Sequence, residues 1–166
     1  MTDLILYAIA LGIGATFFMD VVAIVLKKTL GVPSLNYSLV GRWIAHFPKG
    51  RFTHKSIAKA TPMKGETVIG WIAHYTIGIT FAFIMLLCWG QSWALAPSAT
   101  VAVGYGMLTT LASWLLMQPA FGQGFAASKT PTPWISRLRS LATHAIYGLG
   151  IYLSGLGLLY ASTFIN

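Results

Sequence analysis

Four stretches of the chain stay apolar long enough to cross a bilayer: Leu4 to Leu26, Val68 to Trp89, Ala99 to Met117 and Leu141 to Phe164. About 20 apolar residues in a helix span the hydrocarbon. Backbone amides in lipid must pair within the segment, so helices are expected over strands. The connectors are 27–67 and 118–140. In the first, Leu39, Val40, Trp43, Ile44 and Phe47 recur at i, i+1, i+4, i+5 and i+8. That stripe predicts a short helix over Tyr37 to Phe47, lying in the membrane interface. Arg42 and His46 fall off the stripe, and Pro48 and Gly50 stop the helix. Thr53 is expected to cap a second short helix through Lys59. "MQPAFGQGFAASKTPTP", Met117 to Pro133, reads as a turn-rich connector. Gly122, Gly124 and the small run Ala126 to Ser128 could let backbone approach an anion, but a lone GxG is a weak signal and a tight turn is the better reading.

Composition agrees with this pattern. The 166 residues are 56% hydrophobic and 8% charged, with a mean hydropathy of +0.71. A soluble domain carries about 25% charged residues, so this chain lacks the polar surface to cover a water-soluble globule. The expected fold class is all-α: a polytopic membrane protein with four transmembrane helices in a single domain, 1–166. Cys88 is the one cysteine, which rules out an internal disulfide. The opening MTDLILY, with Asp3 and no basic stretch, reads as a retained span and not a cleaved signal peptide.

Charge gives the direction. All eleven Lys and Arg residues lie between spans 1 and 2 or between spans 3 and 4. The positive-inside rule then makes both basic connectors cytoplasmic and both termini periplasmic, in an inner membrane. The basic connectors are expected to meet anionic lipid, although topology alone also accounts for them. No nucleic-acid partner is expected. Four short spans make a narrow pathway, so a homo-oligomer is also an open expectation.

Two stretches align: "KATPMKGETVIGWIAHYTIG" (59–78) and "SKTPTPWISRLRSLATHAIYG" (128–148). Each has Lys near Thr-Pro, then a His, then a Gly four residues on. The chain therefore reads as two parallel helix–loop–helix repeats, with chance similarity the alternative. At 1.5 Å per residue, Asp20 lies about 10 Å inward from Lys27, His74 about 12 Å from Glu66, and His144 about 8 Å from Arg139. Three ionisable groups thus share one level. Gly12, Thr16 and Asp20 form one helix face; Gly70, His74 and Gly78 form another; Ser140, His144 and Gly148 a third. Small residues let helices approach, so these faces are expected to point inward, with Asp20 and His144 as partners for His74. Span 3 offers a vaguer polar face around Thr109, Thr110 and Ser113.

Ionisable residues inside a membrane are costly, and function is the default reading. An Asp20, His74 and His144 cluster suits a proton relay or a small-solute site, since His titrates near neutral pH. The same three could hold a divalent metal, or the two histidines haem, with no motif spacing to strengthen either. A third reading is a membrane enzyme acting on lipid, using Asn36, His46, His54 and Glu66 at the cytoplasmic face. Arg42 and Gln118 sit at that face as well. Against all three stands a bundle held together by an Asp–His hydrogen bond, with no further role.

"GIGATFFMD", "PSLNYSLVGRW", "GETVIGWIAHYTIGI", "LLMQPAFGQGFAASKTPTP" and "RLRSLATHAIYGLGIY", in that order, resemble a family of small bacterial integral membrane proteins classed as a domain of unknown function. The resemblance covers nearly the whole chain. It implies a bacterial inner-membrane protein with four spans, and it carries no activity, ligand or functional residue across.

Overall fold

The computed structural model describes residues 2–165. The side chain of Asp3, part of the N-terminal pattern, lies outside the described residues. Helix α1 covers Thr2–Leu30, α2 Tyr37–Ala45, α3 Glu66–Leu95, α4 Ala99–Ala112, α5 Gln118–Ala120 and α6 Pro133–Ile165. No strand occurs among the described residues. Four segments are long and apolar enough to cross a membrane: Leu4–Leu30, Glu66–Gly90, Ala99–Ala120 and Pro133–Phe164. These are the four expected spans, each with helix added at an end. α1 runs on through Lys27 and Lys28. α6 starts eight residues early, at Pro133, whose fixed φ suits a first helical position. α3 breaks near its expected end, where Gly90 takes φ 68° and ψ −168°.

Span 3 changes gauge. After α4, Ser113–Met117 forms a π-helical turn that passes directly into α5. The Gln118 N–H donates to Ser113 O, five residues back. Pro119 has no N–H, and its ring crowds the carbonyl four residues earlier. The wider turn sits where that α-helical bond would be lost.

The chain divides into two compact units. Unit 1 comprises Met1–Ser34, Tyr75–Leu108 and Thr143–Asn166; unit 2 comprises Leu35–His74 and Thr109–Ala142. Each draws on both halves of the proposed sequence repeat.

Unit 1 is apolar inside and out. Along α1, Ala8, Leu11, Ala15, Thr16 and Asp20 are buried, while Ile5, Ile9, Ile13, Phe17, Val21 and Ile24 are exposed. The outward stripe is the more hydrophobic of the two, the reverse of a soluble helix and the arrangement lipid requires. Lipid tails offer no hydrophobic drive for helix association, so close packing must supply it. A Cβ placed on Gly12 would lie 2.5 Å from Ile79 Cα, and one on Gly148 2.5 Å from Ala102 O. Two tyrosines cross-link the helices: Tyr147 O–H donates to Gly78 O at 2.6 Å and Tyr105 O–H to Phe81 O at 2.7 Å.

Unit 2 is built from the two basic connectors and the helix ends they join. α2 buries Val40 and Gly41, and Val40 packs with Ile57, Ala120 and Phe121 in a small core edged by Trp43 and Met117. Helices α2 and α3 approach at glycine: a Cβ on Gly70 would strike Tyr37 O, and one on Gly41 would strike Glu66 O. The helix expected after Thr53 is a single 3-10 turn, Ile57–Lys59, preceded by Ser56 without a side-chain cap. Amides in this stretch are engaged elsewhere. His54 N–H donates to Ala120 O at 2.8 Å and Ile57 N–H to Phe121 O at 3.1 Å, so the connector docks as extended chain.

Candidate functional site

Asp20 is 9% exposed on α1, and its carboxylate accepts a hydrogen bond from Tyr75 O–H at 3.1 Å. Both residues belong to unit 1. Tyr75 went unread in the sequence because a tyrosine in an apolar run looks like packing; its polar tip was the available signal. Gly12 and Thr16 share the buried face of Asp20, and Thr16 O–H donates back to Gly12 O at 2.7 Å. His144, also in unit 1, is partly buried on α6 where α4 comes close: a Cβ on Gly106 would lie 2.5 Å from His144 O and 2.7 Å from Gly148 Cα.

His74 belongs to unit 2. Its ring stacks on Tyr37 with centroids 4.0 Å apart and planes 23° apart, and Trp71 meets it edge-on at 5.8 Å. Tyr37, 37 residues away in sequence, is a partner the reading of helix faces missed.

All six residues expected at the cytoplasmic face belong to unit 2. Asn36 caps α2, its side chain accepting from Ser38 N–H at 3.1 Å. Arg42 grips Glu66 with two bonds, Nε to Oε2 at 2.9 Å and Nη2 to Oε1 at 2.7 Å. The same guanidinium donates from Nη1 to the carbonyls of Ile57, Ala58 and Ala60, at 3.1–3.3 Å. Glu66 Oε2 also accepts from Met63 N–H at 2.8 Å. One fork thus pins α2, the 3-10 turn and the start of α3, a geometry an arginine can make and a lysine cannot. Donating to the Glu66 carboxylate raises the pKa of Arg42 above its ordinary value. Glu66, held on both oxygens, is poorly placed to act as a base.

His46 is 2% exposed, and its Nδ1 stands 2.8 Å from Arg42 O. Since a carbonyl only accepts, Nδ1 carries the proton. The His54 ring meets His46 edge-on, centroids 4.9 Å apart. Burial first, then the charges of His46 and Arg51, pull the His54 pKa below its usual value, so it rests neutral.

Several buried side-chain atoms in unit 2 lack hydrogen-bond partners: both ring nitrogens of His54, Thr110 Oγ1, Trp114 Nε1 and Gln118 Oε1. Each such atom costs about 1–3 kcal/mol in desolvation. Trp114 was not read as polar in the sequence, and its spacing of four from both Thr110 and Gln118 is the signal that could have found it. Among the described residues of unit 1, Tyr7 Oη is such an atom. Unit 1 also contains a cavity of 320 Å³ between apolar side chains such as Leu4, Leu86, Leu95 and Leu158; none of the expected site residues lines it.

Among the described residues, no group of three or more His, Cys, Asp or Glu side chains could hold a metal ion. A divalent site at Asp20, His74 and His144 therefore has no assembled donor set to rest on.

Four long apolar helices, basic connectors and a buried carboxylate define an all-α polytopic membrane protein. The family model described as protein of unknown function (DUF2938) matches residues 9–158, and the chain belongs to that family. No curated protein and no solved structure matches it.

Proposed function

We propose that this protein handles protons or a small solute inside a bacterial inner membrane, with Asp20 as the proton-exchanging group and Tyr75 as its hydrogen-bond partner. The supporting observation is a carboxylate only 9% exposed in a helix that is otherwise uncharged from Leu4 to Leu26. The Tyr75 O–H donates to Asp20 Oδ2 at 3.1 Å, which holds the carboxyl group in place on the buried face. Both basic connectors face the cytoplasm in this reading, and both termini the periplasm. The charge of unit 2 supports contact with anionic headgroups on the cytoplasmic side.

Proton flux into liposomes carrying the purified full chain tests the reading. Asp20→Asn, which keeps shape and removes titration, is expected to abolish flux while the protein stays folded. Wild-type flux in that variant refutes the role of Asp20. A structural role has its own support in the glycine contacts of unit 1, and it predicts that Asp20→Asn lowers thermal stability with no flux in either protein.

A further inference from the structure

The unpartnered atoms of unit 2 follow a pattern. Thr110, Trp114 and Gln118 are each four residues apart, so they occupy one face along α4, the π turn and α5. At 1.5 Å per residue the file is roughly 12 Å long, in steps of roughly 6 Å. At its Gln118 end the backbone of His54 is bonded to Ala120, which brings a fourth unpartnered polar side chain to the same region. Thr110 and Gln118 are 1% and 6% exposed, so neither atom is an incompletely covered surface group.

The chemistry of the four groups is mainly that of donors. Trp114 Nε1–H can only donate. Thr110 has a hydroxyl proton, and neutral His54 carries one N–H. A half-turn of the Gln118 amide presents its N–H2 in place of the oxygen. No Lys or Arg belongs to the file, so nothing in it neutralises a dianion. Unit 2 as a whole carries nine basic residues and one acidic residue, Glu66, which Arg42 already holds. That field draws anions and repels cations.

We propose that unit 2 binds a small monovalent anion on the face formed by Thr110, Trp114 and Gln118, with His54 at the Gln118 end. The inference goes beyond the Asp20 reading, which concerns unit 1, and stands or falls separately from it. The atoms are closed to solvent in this structure, so entry requires side-chain rotation along the file. The π turn is the segment with the least regular hydrogen bonding there.

The test compares sodium chloride with sodium gluconate at equal ionic strength, using the full chain in lipid nanodiscs and reading the unfolding midpoint. Chloride is expected to raise the midpoint in a saturable way, and liposomes carrying the protein are expected to release chloride. Thr110→Val and Trp114→Phe each remove one donor at nearly constant shape, and each is expected to weaken the apparent chloride affinity roughly tenfold. Either variant that folds decides the matter. Equal midpoints in the two salts, or unchanged chloride affinity in a folded variant, overturn the proposal. Asp20→Asn is expected to keep the chloride shift. Loss of proton flux with the shift intact supports both readings; intact proton flux with a chloride shift refutes the role of Asp20 alone.

Discussion

Units 1 and 2 solve opposite problems with one chain. Unit 1 has two lysines, Lys27 and Lys28, against two aspartates, Asp3 and Asp20, and is formally neutral. Its helices touch backbone to backbone through glycine, and its tyrosines end on carbonyls. Unit 2 carries the whole formal excess of +8. It is held by a guanidinium fork, two docked amides and a small apolar core, and it leaves several polar atoms unpaired. Close packing supplies stability where lipid removes the hydrophobic drive, whereas directional bonds organise the polar connectors. Among the described residues most of the unpaired polar atoms lie in unit 2, while unit 1 holds Tyr7 Oη and the buried carboxylate of Asp20.

Gly148→Leu should break this contrast most severely. Its side chain would have to displace the backbone of Ala102 and Val103, at a cost of about 3 kcal/mol or more. Gly104→Ala, where a Cβ meets open space, should be neutral or better by a few tenths of a kcal/mol. Unfolding midpoints of the two variants in one detergent measure the difference. If they match, close glycine packing is not what holds unit 1.

Arg42→Ala comes next. It strands Glu66 and three carbonyls at a pair whose side chains are 12% and 16% exposed, for a loss of about 3 kcal/mol. The double variant Arg42→Met, Glu66→Leu should recover much of that loss, because no unpaired charge remains. A double variant as unstable as Arg42→Ala would show that the carbonyl contacts carry the effect.

The smallest effect is acid sensitivity. The folded His54 pKa lies below its unfolded value, so the unfolded chain binds the extra proton. Stability is full above about pH 6.5 and falls as pH drops below it. His54→Gln should flatten that part of the stability–pH profile. An unchanged slope between pH 7 and pH 5 would assign the acid response to other groups.

The spans and α2 were legible in the sequence because long apolar runs and a helical stripe are local signals. The basic flanks hid the true ends: Lys27, Lys28, Arg137 and Arg139 end the apolar runs, and the helices continue past them. The site was legible only as residue types. Arg42 and Glu66 are 24 residues apart, and Asp20 and Tyr75 are 55 apart; no periodicity links such pairs. The expected helix after Thr53 failed because its amides found carbonyls on the other connector, a tertiary contact that overrides a local cap signal.

The π turn at 113–117 has a consequence for how this helix tolerates length changes. It holds one residue more than an α turn would, so everything beyond it is rotated by about 100° relative to an uninterrupted α-helix. Deleting a single residue there would close the wide turn into an ordinary α turn and leave Gln118 pointing roughly where it does now, beside Thr110 and Trp114. Elsewhere in the spans a one-residue deletion rotates every later side chain by about 100° and scrambles a buried face; at this turn the spare residue absorbs the loss and the polar row stays intact.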